Sequence, residues 1–139
     1  MQISKIKIHN YRSIINEEFF LNDYSVLVGE NNSGKSNIIN AIRTFYWDCK
    51  FDRNKDFPKQ NTPDQESYIE ITFLLNKEEY ESIKDDYKNE QKTLTVNKSL
   101  ITWNAYVVKT DGSLFEEQFY WAKGVSEWKL GKIIYIPSV

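Results

Sequence analysis

The chain has 139 residues, of which 40% are apolar and 27% charged, and its formal net charge is −2 at pH 7. This length supports one folded domain with a core, and the composition excludes a chain that is disordered throughout. The near-neutral charge excludes a uniformly basic surface for nucleic acid. Because the sequence contains no signal peptide and no long apolar run, we expect a cytoplasmic protein without a membrane partner.

Two extended segments open the chain. Residues 2–9 alternate between apolar and polar side chains, which predicts a half-buried strand. Residues 10–13 interrupt this alternation, and an extended run resumes over residues 17–21. A turn then leads into a short apolar segment at residues 24–28, which predicts a buried strand.

A glycine-rich loop follows this strand. Its sequence is Gly29-Glu30-Asn31-Asn32-Ser33-Gly34-Lys35-Ser36, which completes the pattern G-x-x-x-x-G-K-S/T. After the loop, residues 37–47 carry apolar side chains at helical spacing, so the motif lies between a strand and a helix. In that context the loop amides and the helix N-terminus bind phosphate oxygens. Lys35 is predicted to contact the outer phosphates, and the Ser36 hydroxyl to ligate magnesium.

The predicted nucleotide site therefore consists of the loop and the start of its helix. Its members are Gly29, Asn31, Asn32, Ser33, Gly34, Lys35 and Ser36.

A polar connection separates this half of the chain from the next. Residues 48–66 include Pro58 and Pro63 and show no hydrophobic period, which predicts an exposed loop. We interpret its mixed charges as solvated and not as a site. The single cysteine, Cys49, cannot form a disulfide within the chain.

The second half of the chain is predicted to be rich in β-structure. Residues 68–75 form a strand, and Asn76 with Glu79 makes a capping box for an acidic helix over residues 77–88. Glu79 and the other acids of this helix are interpreted as a solvated face.

A hairpin and a final strand complete the predicted elements. Residues 93–108 alternate over a long stretch, and an Asp-Gly turn joins them to a strand at residues 114–121. Residues 132–136 are almost continuously apolar, as in a strand buried on both faces. Because a central strand is an unusual last element, we expect this chain to be part of a longer protein.

The acid that ATP hydrolysis requires is not recognisable in the sequence. Such an acid follows a strand of four apolar residues, where it holds magnesium and polarises the attacking water. Glu70 lies inside its strand instead, and Asp111 lies in a hairpin turn. His9 is the single histidine and lacks the partners of a triad, so we interpret it as structural or solvent-facing. The catalytic residues stay unassigned.

Two further functions are compatible with the same loop. A small-molecule or nucleotide kinase usually closes an arginine-rich lid over the transferred phosphate. The arginines here are Arg12, Arg43 and Arg53, and Arg43 lies in the predicted helix that follows the phosphate-binding loop. The other possibility is a module that binds nucleotide without hydrolysing it, which is close to our expectation for this chain alone.

Two motifs resemble a known ATPase group. The first is Ile8-His9-Asn10-Tyr11-Arg12-Ser13, and the second is the loop with Asn37 after it. Together they resemble the N-terminal half of an SMC/RecF-type ATPase head, and within that group the ATPases of OLD-family nucleases and Gabija-type defence proteins. The specific resemblance covers residues 1–47, and residues 48–139 are similar only in outline.

The resemblance implies an α/β fold. Its parts are the N-lobe of a P-loop NTPase, with a mixed sheet and a P-loop helix, and an antiparallel β-rich subdomain. Residues 1–47 would hold the strand pair, loop and helix, residues 48–66 the exposed connection, and residues 67–139 the β-rich subdomain ending in a central strand. The whole chain would be the N-terminal part of one ABC-like or AAA ATPase domain.

The resemblance also implies ligands and partners. These are ATP and Mg²⁺, a second ATPase head that dimerises with the first around ATP, and DNA as a partner of the full-length protein. It adds Asn37 and Arg12 to the nucleotide-binding residues, with an Arg12 that bonds local carbonyls as the alternative. Because the opposing signature motif would come from a second head, we expect the chain alone to lack ATPase activity and to bind DNA weakly.

Overall fold

The structure is a computed structural model that describes residues 2–20, 33–45 and 50–119, and in its first helix the side chains from Asn37 onward. In chain order its elements are β1 (Gln2–Tyr11), β2 (Ile14–Phe20), α1 (Ser33–Phe45), α2 (Arg53–Asp56), β3 (Tyr68–Leu74), α3 (Lys77–Ser82), a 3-10 turn (Asp85–Tyr87), β4 (Thr93–Ser99), β5 (Ala105–Val108) and β6 (Leu114–Gln118).

The described strands form one six-stranded sheet in the order β2-β1-β3-β4-β5-β6. Every neighbouring pair is antiparallel. Because β1 pairs with β2 on one side and β3 on the other, the first strands and the later ones share a single sheet. The predicted α/β class with an antiparallel β-rich subdomain is confirmed. The predicted mixed sheet requires parallel strands, and the pairs among the described strands are all antiparallel. The strands predicted at residues 24–28 and 132–136 lie outside the described residues.

The two faces of the sheet differ in polarity because successive side chains of a strand point to opposite faces. One face carries the apolar core, and the partly buried residues of the other face are largely polar. The buried apolar residues of β1, β3 and β4 include Ile6, Ile8, Ile69, Ile71, Phe73, Leu94 and Val96. On the opposite face, Lys7, Glu70, Asn97 and Tyr106 are successive cross-strand neighbours. The apolar face is the one that α1 covers.

The first hairpin is tighter than predicted. β1 continues to Tyr11 and β2 begins at Ile14, so the turn consists only of Arg12 and Ser13. Asn10 and Arg12 have positive φ angles of 51° and 55°. The interruption of the alternation at residues 10–13 therefore marks a change of backbone conformation and not a loop.

The predicted long strand over residues 93–108 is wrong. It is divided into β4 and β5 by a turn at residues 100–104. Ser99 accounts for the turn, because its Oγ accepts hydrogen bonds from the backbone amides of Ile101 and Thr102. Such short side-chain contacts to the backbone compete with the ladder of a strand. The Asp-Gly turn before β6 is confirmed, with Gly112 at a φ of 93°.

The predicted helix over residues 77–88 is shorter than expected. Its capping box is confirmed, with Asn76 Oδ1 accepting from the Glu79 amide and Glu79 Oε1 accepting from the Asn76 amide, both at 2.8 Å. α3 ends after Ser82 because Ile83 is extended and buried. Glu79 is itself buried, so its assignment to a solvated face is wrong.

No helix among the residues that the structure describes is long and apolar enough to cross a membrane.

Candidate functional site

α1 begins inside the glycine-rich motif. Its first turn contains Ser33, Gly34, Lys35 and Ser36. The first four amides of a helix have no partner within it, and the helix dipole makes this end positive, so the turn is suited to binding phosphate. Residues 29–32 and the side chains of residues 33–36 lie outside the described part of the structure. Their predicted contacts with nucleotide, and that of Ser36 with magnesium, stay predictions.

Apolar side chains seat the helix on the sheet. Ile38, Ala41, Ile42 and Phe45 recur at the spacing of one helix face, and all four are buried. The Phe45 ring lies 6.4 Å from that of Phe73 on β3. The predicted helical pattern over residues 37–47 is thus confirmed as far as Phe45, the last described residue of the helix.

Asn37 links the helix to the first hairpin. Its Nδ2 atom donates a hydrogen bond of 2.8 Å to Ser13 Oγ, and the Asn37 side chain is buried. Asn37 directly follows Ser36, so this bond fixes the end of the predicted phosphate-binding turn relative to the sheet. The predicted contact of Asn37 with nucleotide stays a prediction, since its amide group is already engaged with Ser13.

Arg12, the other residue of that hairpin turn besides Ser13, is held by Asp56 of α2. Its backbone amide donates to the Asp56 carbonyl oxygen at 2.5 Å, and its Nε donates to Asp56 Oδ1 at 3.0 Å. The guanidinium also lies 5.2 Å from the centre of the Tyr11 ring. These contacts hold Arg12 in the hairpin turn, but its side chain bonds a distant carboxylate and not the local carbonyls of the alternative prediction. Its contact with phosphate stays a prediction.

The interpretation of the charges in residues 48–66 as solvated is wrong for Asp56. Asp56 is only 3% exposed, and its second carboxylate oxygen accepts from the Asp52 amide at 2.9 Å. Asp64 accepts from His9 Nε2 at 3.0 Å and from Asn10 Nδ2 at 3.0 Å. The connection is therefore fastened to β1 and the hairpin turn at two points.

His9 has a structural role, in agreement with one of the two predictions for it. Its ring stacks on Tyr68 at a centroid distance of 4.6 Å, and its Nδ1 lies 3.1 Å from Asn16 Oδ1. The hydrogen bond from His9 is the main cause that lowers the pKa of Asp64 below its usual range. Sequence reasoning missed Asp56 and Asp64 because their partners lie 44 to 55 positions away.

The far end of α1 contacts a buried lysine. Lys98 of β4 is 0% exposed, and its Nζ donates to the Phe45 carbonyl oxygen at 2.9 Å. Burial lowers the pKa of Lys98 to about 7. A sequence signal existed, because Lys98 continues the alternation of Leu94 and Val96 at a core-facing position.

The two acids considered for catalysis have other partners in the structure. Glu70 is on the sheet face opposite α1, with its carboxylate 3.9 Å from Lys7 Nζ, and burial raises its pKa. Asp111 lies in the hairpin turn and accepts hydrogen bonds from the hydroxyl and the amide of Ser113. Both bonds lower the pKa of Asp111, and the bond from the hydroxyl has the larger effect.

Comparison with known proteins gives one family and one solved structure. Residues 1–129 match the AAA ATPase domain family. The chain is similar to an SMC head domain from Thermotoga maritima, at 21% identity and a TM-score of 0.45, over 86% of this chain and 39% of that one. The chain thus spans well under half of the length of that head domain. No curated protein matches the chain.

Proposed function

Because the chain belongs to the AAA ATPase domain family, we propose that it is the ATP-binding lobe of an ATPase head. Residues 29–37 bind the phosphates, Lys35 neutralises the outer ones, and the Ser36 hydroxyl holds Mg²⁺. The observation that carries the proposal is the start of α1 at Ser33, within the G-x-x-x-x-G-K-S motif. The first helical turn then presents backbone amides at the place where the motif requires them.

The surroundings of the helix support this assignment. Asn37 is bonded to Ser13, and Arg12 beside Ser13 is bonded to Asp56, so one chain of contacts runs from the connection to the phosphate turn. Preorganised donors bind an anion at a lower entropic cost than donors that must be ordered first. The residues of the motif therefore fit a nucleotide. They also fit its magnesium ion, because magnesium prefers oxygen ligands such as the Ser36 hydroxyl and the phosphate oxygens.

In the full-length protein this lobe acts with partners. We propose that a second head dimerises with it around ATP in the cytoplasm and that this closure is coupled to DNA, in repair or in a defence nuclease. The resemblance of residues 1–47 to OLD-family and Gabija-type ATPases supports this role.

A kinase and a module that binds nucleotide without hydrolysing it are the alternatives. Of the three arginines, Arg12 is bonded to Asp56 and Arg53 to Gln65. These contacts disfavour the arginine lid of a kinase. Turnover of ATP by a complete head dimer would indicate the ATPase, and binding without turnover would indicate the module.

Calorimetric titration with a slowly hydrolysed ATP analogue tests the nucleotide site. We expect Lys35→Ala to abolish detectable binding in magnesium buffer, because a charged hydrogen bond to phosphate contributes about 2–3 kcal/mol, or roughly 100-fold in affinity. Circular dichroism should show an unchanged fold. The matched control is Lys77→Ala, at an exposed lysine in the first turn of α3, which should bind normally. Equal affinity of the Lys35→Ala and wild-type chains would refute the proposal.

A further inference from the structure

We propose that Lys98 is a positioning residue of the nucleotide site. It fixes the carboxyl end of α1 on the sheet and thereby sets the position of the phosphate-binding turn at the amino end. The inference rests on the proposed function and adds to it a residue of β4, far from the motif in sequence.

Lys98 contacts the helix at the end where a cation is most favourable. The last carbonyls of a helix have no donor within it and carry the negative end of the helix dipole. Lys98 Nζ donates to the carbonyl oxygen of Phe45 at 2.9 Å. It also lies 5.7 Å from the centre of the Phe45 ring and 5.5 Å from that of Trp103. The carbonyl oxygen and the two ring faces offset part of the cost of burying the ammonium.

The helix is thus joined to the sheet by a polar contact near each end. At the start, Asn37 donates to Ser13 between the strands β1 and β2, and at the end Lys98 donates from β4. Between these ends Ile38, Ala41 and Ile42 pack into the apolar core, and such packing is non-directional. A helix of 13 residues is about 20 Å long, so a small rotation about one end displaces the other by an ångström or more. Displacements of this size weaken binding by aligned donors.

A purely structural role explains Lys98 poorly. Its neighbours on the same face of β4, Leu94 and Val96, are apolar and buried. The fall in the Lys98 pKa to about 7 shows that burial penalises its charged form. Replacement of a buried charge by an apolar residue of similar volume is often neutral or stabilising. A costly lysine in such a place indicates a requirement other than stability.

The test compares nucleotide affinity with stability in Lys98→Met, in which the side chain keeps its length and loses its ammonium. We expect an unfolding free energy in urea equal to or above that of the wild type, with affinity for magnesium and the ATP analogue reduced about tenfold. Lys98→Arg, which keeps a cation at the helix end, should retain more affinity than Lys98→Met. The control Val107→Ala, at a buried position of β5, should lose stability and keep wild-type affinity.

Unchanged affinity in a folded Lys98→Met chain would overturn the inference while leaving the nucleotide site intact. Failure of the wild type to bind nucleotide would refute the proposed function, and the inference with it.

If Lys98→Met does not fold, the ¹³Cε resonance of Lys98 is titrated in the wild type with and without the ATP analogue. Linkage requires that bound nucleotide raise the Lys98 pKa if the charged side chain favours binding. An unchanged pKa would then overturn the inference.

Discussion

Among single residues, Arg12 occupies the least favourable backbone position of the first hairpin. A φ of 55° is uncommon for a residue with a long side chain, and it persists only where neighbouring contacts fix it. Asp56 supplies two of these contacts, one to the Arg12 amide and one to its guanidinium. The turn that supports Asn37 therefore depends on an acid from the connection.

We expect Asp56→Ala to lower the free energy of unfolding by about 2 kcal/mol, because the substitution removes charged hydrogen bonds to the Arg12 side chain and the Asp52 amide. Urea denaturation followed by tryptophan fluorescence measures the change. Asp86→Ala, at an exposed position of the 3-10 turn, is the matched control and should change stability by less than about 0.5 kcal/mol. A loss in the Asp56 variant no larger than in this control would contradict the assigned role of Asp56.

Lys98 should make the free energy of unfolding depend on pH above about 7. Burial lowers its pKa from 10.5 to about 7, so between these values the unfolded chain binds more protons than the folded one. The titration of Lys98 therefore raises the free energy of unfolding as the pH rises from about 7 to 10.5. Below pH 7 Lys98 is charged in the folded chain, and the full cost of burying that charge is present. The difference between the wild-type and Lys98→Met unfolding curves should follow this rise. A difference that stays constant from pH 7 to 10 would show that Lys98 titrates normally.

For whole elements, the sequence predicted those with a strong local signal. The alternation of β3 and the capping box of α3 depend on neighbours within a few positions, and both were found. The turn at residues 100–104 and the end of α3 were missed, because they depend on Ser99 and on the burial of Ile83. At the site, the start of α1 was predictable from its motif. The contacts made by Asp56, Asp64 and Lys98 were not, because they join segments that are distant in sequence.

The capping box of α3 provides a measurable contribution from one element. Asn76→Ala removes the acceptor for the Glu79 amide and should lower the free energy of unfolding by about 1 kcal/mol. Thermal denaturation measures the loss, with Asn61→Ala, an exposed residue of the connection, as the control. Equal stability of the two variants would mean that α3 frays without consequence for the rest of the domain.

At the scale of the whole molecule, family membership confirms the ATPase class that the motifs of residues 1–47 indicated. The sheet then joins the strands on both sides of the connection into one unit. The predicted domain boundaries and the partners of the full-length protein stay predictions.

We expect the purified chain to release no phosphate from ATP above background, with or without duplex DNA, and to bind DNA weakly. Glu70 lies on the sheet face opposite α1 and Asp111 in the hairpin turn before β6, and a net charge of −2 offers little counterion release. Steady-state phosphate release is the measurement, with Lys35→Ala as the control. Turnover that disappears in Lys35→Ala would reveal a catalytic acid within this chain.

The central position of β1 has a consequence for synthesis on the ribosome. β1 can pair early with β2 through a two-residue turn, but its other edge must wait for β3, which ends at Leu74. At roughly 5–20 residues per second, that wait lasts on the order of several seconds. During it, an apolar strand edge is open to pairing with other nascent chains. Lys5 and Lys7, which alternate with the buried isoleucines of β1, place charge along this edge and so oppose aggregation until β3 emerges.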